Sequence, residues 1–560
     1  MRCLLLSTAI AVLVACGGSD ADSGSDPSSP SNVVENHPGS LVLKSPARAA
    51  FIESQGGAGV EVLGTGGSAS TTVNGQPVKL DADGTFHATI KADVGLNLVT
   101  VADGSARLES PFVYGHFVDP KTPVAKAITV GIGSDGFSAP EPVASVTSVL
   151  NRALRDKNLV SSLAGQKFSG DVAGVTWSYD VTGGHNDATK VAIATAANGL
   201  AIDATGNGIV VEGDLKIGNS GKHFTRIIVD RARIKGTAAL AVTDGVLGAS
   251  MSGASVAFDG FHWDSGDFGW PCCIDTIATK FLRSKIEDAV RDGIQTQVPE
   301  AAKITLDGVG LPKELDLSAI GLESPVAVSA KLDDAVFDAN GAAISAAVLF
   351  GGTFPAGSPG SKAPGFLPLG GQTSSLFRPG VLGASFSVDT VNQLFFATWG
   401  SGELSFATPP SLGLTLTPKL PPMVSVTPKG AVRVAIGELV VQMANRPEPV
   451  AAVTILQDVV PSADATSLLL TADGEPTISV TFLADSSVQN GNGLIAGAAK
   501  DQVKKLLSPF RVPLPTFALD KLGAKFEGES LALTAVKFAV DSAAGRVGAE
   551  GTITLVQPKQ

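Results

Sequence analysis

The chain has 560 residues, of which 44% are hydrophobic and 17% are charged, so its length suggests about three or four domains. Its formal net charge of −12 at pH 7 argues against nucleic acid and against anionic lipid headgroups as electrostatic partners. The mean hydropathy is positive, +0.26. After the N-terminal residues, however, no apolar run reaches the roughly 18 residues that span a bilayer. This combination indicates extra apolar surface inside the protein, although β-proteins rich in Ala and Gly can have the same mean hydropathy.

The N-terminus carries the features of a lipoprotein signal peptide over residues 1–15. Arg2 precedes a mostly apolar run, and the four residues LVAC that end at Cys16 resemble a bacterial lipobox. Cleavage before Cys16 would make this residue the lipid attachment site, with acyl chains on its thiol and on its freed amine. We therefore expect a lipid-anchored protein of the bacterial cell envelope, in the outer membrane, on either its periplasmic or its surface face. An ordinary secretory signal with an incidental cysteine is the alternative.

Two regions follow the signal. Residues 16–40 are mostly Gly, Ser, Asp, Pro and Asn, which predicts a disordered tether. Residues 41–118 contain short strands separated by the turn signals Asn74-Gly75 and Asp83-Gly84. This segment resembles a bacterial immunoglobulin-like β-sandwich of the kind that serves as a stalk or spacer. A calcium loop at Asp83 is not expected, because the segment has no carboxylate at the twelfth position.

Residues 126–325 begin with a strand and an amphipathic helix around 143–154. Long runs of alternating apolar and polar residues come next, and consecutive strands of this length predict a curled antiparallel sheet. The segment GIGSDG at 131–136 fits the dinucleotide-binding fingerprint formally. We expect no nucleotide site there, because Pro140 and Pro142 intervene before the helix and no βαβ unit follows.

A long amphipathic helix is predicted from Ile274 to Val298, directly after the adjacent Cys272 and Cys273. A helix of this length laid in a curled sheet would complete a tube. Its apolar stripe either fills that tube as ordinary core or faces bound acyl chains, and the helical spacing is the same in both cases. The candidate lipid-binding residues of the stripe are Ile274, Ile277, Phe281, Ile286, Val290 and Ile294.

The second half of the chain, residues 326–560, repeats this theme. Strands with polar turns are predicted from 325 to about 484, followed by a shorter amphipathic helix in GLIAGAAKDQVKKLLSPF. Each of the two helices is followed by a Leu-Pro elbow and a hairpin, which indicates a weak internal repeat of two large halves.

Several ordered patches between 127 and 560 resemble one family. They are SGDFGW leading into IATKFLRSKIEDAV, then QTQV, then VLGASFSVDTVNQLFFATWGSGELSF and, near the C-terminus, VPLP. They are similar to bactericidal/permeability-increasing protein, lipopolysaccharide-binding protein and the plasma lipid-transfer proteins of the tubular lipid-binding superfamily. The resemblance implies a mainly β fold with long amphipathic helices (α+β). It further implies two elongated curled-sheet barrels in a boomerang arrangement, at 126–325 and 326–560, each able to hold lipid acyl chains.

Two departures from the family pattern concern cysteine and charge. The family's disulfide joins a strand cysteine to one just after the first long helix, where this chain has Val298-Pro299, so that bridge is absent. An acidic chain also shows no sign of the cationic tip of those members that bind lipopolysaccharide. Cys272 and Cys273 are then joined to each other as a vicinal disulfide, left as two thiols, or paired between molecules. Adjacent cysteines suit neither a zinc cage nor a C-x-x-C redox couple.

Enzyme chemistry is not expected. The sequence lacks G-x-S-x-G, H-E-x-x-H and P-loop motifs, and its six histidines are scattered, so we predict no catalytic residue, no metal and no cofactor. The favoured function is a membrane-anchored protein that holds, or holds and transfers, phospholipid or another acyl lipid. The alternative is a surface-displayed structural or adhesion lipoprotein with solid barrels and no lipid ligand. The oligomeric state stays open.

Overall fold

A computed structural model of the chain describes residues 33–54, 59–138, 145–154, 158, 160–172, 174–197, 199–264, 282–288, 291, 314–315, 326–370, 381–402, 404, 406–407, 413–444, 446–463, 467–483, 510–513, 516–518, 527 and 529–556. Over these residues, strands far outnumber helices and form five sheets, several of them curled, so the predicted mainly β class is confirmed. No helix in these ranges is long and apolar enough to cross a membrane.

The strands are numbered in chain order. Those of the N-terminal part are β1 (Val33–Asn36), β2 (Val42–Ser45), β3 (Ala50–Glu53), β4 (Val60–Thr65), β5 (Thr72–Val73), β6 (Gln76–Pro77), β7 (Phe86–Ile90), β8 (Gly95–Asp103) and β9 (Ala106–Gly115). Those of the next part are β10 (Val124–Gly133), β11 (Lys167–Val172), β12 (Val175–His185), β13 (Ala188–Ala196), β14 (Gly199–Ile217), β15 (His223–Thr243) and β16 (Val246–Asp264).

The second half of the chain contributes shorter strands and a buried helix. Its strands are β17 (Glu314–Leu315), β18 (Val326–Asp338), β19 (Gly341–Gly351), β20 (Leu382–Ser387), β21 (Phe406–Ala407), β22 (Leu414–Pro418), β23 (Met423–Val426), β24 (Val432–Met443), β25 (Pro449–Ala463), β26 (Ser467–Ala472), β27 (Thr477–Phe482), β28 (Phe510–Pro513), β29 (Thr516–Ala518), β30 (Ser530–Asp541) and β31 (Arg546–Val556). The α-helices with assigned bounds are α1 (Ser134–Ser138), α2 (Val146–Leu154) and α3 (Val388–Ser401).

Strands β2 to β9 form a β-sandwich. One sheet has the order β2-β4-β7 and the other β3-β9-β8-β5-β6. Phe86 from the first sheet and Val99 and Phe112 from the second are 0% exposed and belong to one core. The predicted turns are present: Asn74 and Gly75, with φ of 48° and 76°, connect β5 to β6, and Gly84, with φ of 80°, lies in the turn before β7. Positive φ at both central residues is what a tight type I′ hairpin requires.

The first strand, β1, leaves the sandwich and joins a different sheet. It pairs in parallel with β27, with Val33 opposite Ile478 and Asn36 opposite Thr481. Asn36 is fully buried and donates a hydrogen bond to Ser479 Oγ at 2.7 Å. The tether predicted for residues 16–40 therefore overlaps a strand, because two consecutive valines find an open sheet edge, while residues 16–32 lie outside the described ranges.

A bidentate ion pair joins the sandwich to the sheet that contains β24. Arg48, in the turn before β3, donates from Nε and Nη2 to the two carboxylate oxygens of Glu438 on β24, both at 2.8 Å. The Glu438 side chain is only 5% exposed. In a neighbouring apolar cluster, Val113 of β9 packs with Leu420 and Met423. These contacts join the sandwich to the body of the protein, which a freely hinged spacer would not show.

Strands β11 to β16 form a six-stranded antiparallel sheet in the order β11-β12-β14-β15-β16, with β13 also on β14. If the sheet were flat, Tyr179 on β12 and Trp263 on β16 would lie three strands apart, about 14 Å at the usual strand spacing. Their ring centroids are instead 5.7 Å apart. The sheet therefore curls around the face that carries these two rings, as the long alternating runs predicted.

An eight-stranded sheet combines strands from both predicted halves, in the order β17-β18-β19-β10-β20-β31-β30-β29. It meets one end of the six-stranded sheet, where Leu240 and Leu247 share a core with Phe337 of β18 and Ile344 of β19. The predicted amphipathic helix near 143–154 is present as α2, which adds its partly buried Val146 to this core.

The remaining strands form a nine-stranded sheet with the path β1-β27-β25-β24-β22-β21. Helix α3 contributes to a core that includes Val348 of the eight-stranded sheet and Val424 of the nine-stranded sheet. The strands predicted for 325–484 are wrong at residues 388–401. Nearly every residue of α3 is buried, including the polar Asp389, Asn392 and Gln393, so this helix has no broad exposed face of the kind that marks a surface amphipathic helix.

The carboxyl group of Asp389 is buried in the first turn of α3. Its Oδ1 atom accepts hydrogen bonds from the backbone N–H groups of Leu369, at 2.6 Å, and Gly370, at 2.7 Å. Burial nevertheless raises the pKa of Asp389 to about 6, because the loss of hydration outweighs these bonds and the positive charge of Arg546. The folded chain therefore binds this proton more tightly than the unfolded chain does.

Breaking the ion pair between Arg48 and Glu438 should destabilise the protein. Arg48→Ala leaves a buried carboxylate without its partner, so we expect a loss of about 2–4 kcal/mol in the free energy of unfolding, measured with urea. The control is Arg433→Ala, which removes a more exposed ion pair with Asp458 on the same sheet and should cost under about 1 kcal/mol. Equal losses in the two variants would contradict a special role for Arg48.

The raised pKa of Asp389 predicts a pH-dependent effect of Asp389→Asn. In the wild type this group's contribution to stability is full below pH 3.8 and is lost as the pH rises through about 6. The asparagine oxygen can accept the same two hydrogen bonds and has no proton to lose. Relative to wild type, the variant should therefore gain about 1–2 kcal/mol of unfolding free energy between pH 5 and pH 8. A pH-independent difference in urea unfolding would refute the shift.

Candidate functional site

The inner face of the six-stranded sheet is its most extensive apolar surface. Side chains alternate along each strand, so every second residue points to this face. Its members are all at most 4% exposed and belong to one cluster: Trp177, Tyr179, Val181, Ile202, Ile209, Val211, Leu215, Ile227, Val229, Ile234 and Phe258. We call the face that they line, which continues along β16 from the partly buried Trp263 to Leu247, the inner face.

The outer face of the same sheet is charged and hydrated. Cross-strand ion pairs join Lys235 to Asp203 at 3.4 Å and Arg226 to Glu212 at 3.2 Å, and all four side chains are about one-third to two-thirds exposed. Exposed pairs of this kind contribute little to stability. Because the outer face is charged, only the inner face is suited to bind an apolar ligand.

Two glycines let aromatic rings lie flat on the inner face. Gly170 lies directly opposite Trp177, and a Cβ atom on Gly170 would be 2.9 Å from the indole nitrogen. A Cβ atom on Gly213 would be 2.6 Å from Cζ of Tyr179. A side chain at either position would push the ring away from the strands, so glycine fixes where the rings lie.

Three polar groups lie among the apolar side chains of this region. Tyr179 Oη donates to the carbonyl of Val211 at 3.1 Å, and burial raises the pKa of this phenol well above its usual range. The indole N–H groups of Trp177 and Trp263 are also buried, and within the described ranges neither has a hydrogen-bond acceptor. Sequence reasoning missed these residues. The available signal was the pairing of aromatic residues on alternate strand positions with glycines on the neighbouring strand.

One predicted stripe residue reaches the inner face. In the helical segment 282–288, Leu282 and Ile286 are 0% and 1% exposed and belong to the inner-face cluster. Beside this pair, Arg283 forms an ion pair with Glu287 at 3.0 Å and donates to the carbonyl of Phe258 on β16. Lys285, on the opposite side of the turn, is exposed.

The other predicted site residues lie outside the described ranges and stay predictions. They are the lipid attachment residue Cys16, the adjacent pair Cys272 and Cys273, and the stripe residues Ile274, Ile277, Phe281, Val290 and Ile294. Within the part of the chain that the structure describes, no group of three or more His, Cys, Asp or Glu side chains could hold a metal ion.

Two other features can be assigned no ligand. A cleft between Phe51 of the sandwich and Met423 has a volume of about 10 Å³, enough for about one water molecule and no lipid. In the GIGSDG segment, β10 is antiparallel to both of its neighbours, β19 and β20, so it is no part of a βαβ unit. Gly136 is instead required for close packing, because a Cβ atom there would meet the carbonyl of Val381.

Comparisons with known proteins yield only distant structural similarities. No family model matches the chain, and no curated protein matches it. Among solved structures, it is similar to a lipopolysaccharide binding protein, with 15% identity, a TM-score of 0.37 and coverage of 78% of this chain and 100% of that chain. It is also similar to P47 of Clostridium botulinum E1, with 10% identity, a TM-score of 0.29 and coverage of 77% and 99%.

Proposed function

We propose that the protein binds an acyl lipid, such as a phospholipid, along the inner face of the six-stranded sheet, and that it is held at a membrane through Cys16. The observation that carries the proposal is a continuous apolar face on a curled sheet of unusually long strands, of which β14, β15 and β16 have 19, 21 and 19 residues. The family resemblance of the sequence supports the same function. Transfer of lipid between membranes would be a further property of such a protein.

The inner face is long enough for an acyl chain. From Trp263 to Leu247 it extends about 50 Å along β16 at the usual strand rise. Each buried methylene contributes about 0.8 kcal/mol, so a sixteen-carbon chain offers on the order of 12 kcal/mol before ordering costs. A ligand held mainly through its acyl chains needs no cationic side chains to bind its headgroup, which is compatible with the net charge of −12.

The rival function is a surface-displayed structural or adhesion lipoprotein with solid barrels. It is favoured by the low exposure of the inner face, where Tyr179, Val211 and Ile227 are all 0% exposed. The rigid attachment of the sandwich through Arg48 is also suited to a structural protein.

Native mass spectrometry distinguishes the two functions. The full-length chain, purified in a non-lipid detergent, should carry a mass increment that is released on denaturation and corresponds to lipid. Acyl groups on Cys16 are covalent and should remain in the denatured mass. A native mass equal to the denatured mass, with no lipid in an organic extract, would leave only the rival function.

Ile286 tests whether the stripe is packed core or contacts lipid. If Ile286 is ordinary core, Ile286→Ala should cost about 2–5 kcal/mol of unfolding free energy and leave lipid occupancy unchanged. We expect the other outcome, a smaller cost together with reduced occupancy in the native mass spectrum. Ile455→Ala, in the separate core of the nine-stranded sheet, is the control that should lower stability alone. Full occupancy in Ile286→Ala and in a folded Ile286→Asp variant would exclude this residue from the site.

A further inference from the structure

The inner face contains two buried hydrogen-bond donors that lack an acceptor. Trp177 is 3% exposed, and neither its indole nitrogen nor the buried indole nitrogen of Trp263 has a hydrogen-bond partner in the described part of the chain. Buried N–H groups are nearly always paired, because an unpaired one loses its hydration without compensation. Two such N–H groups around one apolar cluster indicate that a bound molecule supplies the missing acceptors.

Both donors lie near the same end of the sheet. Trp263 immediately precedes the last residue of β16, and Trp177 pairs with Ile217, the last residue of β14. The ring of Tyr179 lies 5.7 Å from that of Trp263, and both tryptophans pack on the same cluster. The opposite end of the inner face, at Leu247, adjoins the eight-stranded sheet.

The surroundings favour a neutral acceptor over an anion. Tyr179 already donates to a backbone carbonyl, and alternation places the nearby charged residues on the outer face. There Lys222 is paired with Asp180 at 2.6 Å. A phosphate among the rings would have no described countercharge, and burying an unpaired charge is costly. An ester carbonyl needs only N–H donors.

We infer that Trp177 and Trp263 donate their indole N–H groups to the two ester carbonyl oxygens of a diacyl glycerolipid. The inference rests on the proposed function and adds the ligand class and its direction. The acyl chains extend along the inner face toward Leu247, and the headgroup lies at the end of the sheet formed by the β14–β15 turn. Trp177 and Trp263 are thus the residues that distinguish ester lipids from other apolar molecules.

The test compares an ester lipid with its ether analogue. The full-length protein is stripped of lipid and titrated with dipalmitoyl phosphatidylcholine or with the dihexadecyl ether lipid, which has the same chains and phosphate but no carbonyl. Native mass spectrometry reads the occupancy. We expect the wild type to prefer the ester, by about fivefold for each donor. The Trp177→Phe and Trp263→Phe double variant should bind both lipids equally.

The control is Trp399→Phe in helix α3. The Trp399 indole donates to the carbonyl of Pro418 at 3.0 Å, so this variant should lose stability and keep the ester preference.

Three outcomes would overturn the inference. Equal binding of both lipids by the wild type refutes it while leaving the proposed function intact. Equal weakening of the binding of both lipids in the double variant shows that the indoles do not donate to the ester carbonyls. Binding of neither lipid by the wild type removes the proposed function together with the inference.

Discussion

The apolar inner face of the six-stranded sheet must be shielded from water, and the curl of the sheet provides part of this shielding. Burial of one large apolar side chain is worth about 1.5–3 kcal/mol, so the whole face contributes far more than the exposed ion pairs on the outer face. A flat sheet would need a separate layer across its full length. Curling brings β12 and β16 close enough for Tyr179 and Trp263 to approach each other, and part of the face then covers itself.

The N-terminal part is attached to the rest of the protein mainly by polar contacts, namely backbone hydrogen bonds and an ion pair, whereas the six-stranded sheet is held by apolar burial. Strand β1 occupies the edge of β27 and so covers backbone groups that could otherwise pair with another chain. On the same body, Arg48 reaches Glu438 across 390 positions of sequence. Any force on the segment before Val33 is therefore transmitted to the nine-stranded sheet directly, without passing through the sandwich.

The features that sequence predicted best are those specified by neighbouring residues. The hairpin at Asn74-Gly75 depends on two residues that tolerate positive φ, and the strands of the curled sheet depend on simple alternation. Helix α3 was missed because it is buried on nearly all sides and its short sequence shows little contrast between an apolar and a polar face. No local sequence pattern predicts the Arg48–Glu438 ion pair, because the two residues are 390 positions apart in the sequence. At the candidate site, the stripe residue Ile286 followed from helical spacing, whereas Trp177 became visible only through its register with Gly170.

The glycines of the sheet bear on the choice between a solid barrel and one that admits a ligand. Abundant small residues would be expected to let strands and helices approach closely and to leave little space. At Gly170 and Gly213 the consequence differs, because the missing side chains are replaced by rings that lie flat against the strands. Alanine at either position would force the ring of Trp177 or Tyr179 inward. Glycine at these two positions lets both rings lie against the strands instead of further into the interior, near the two indole donors.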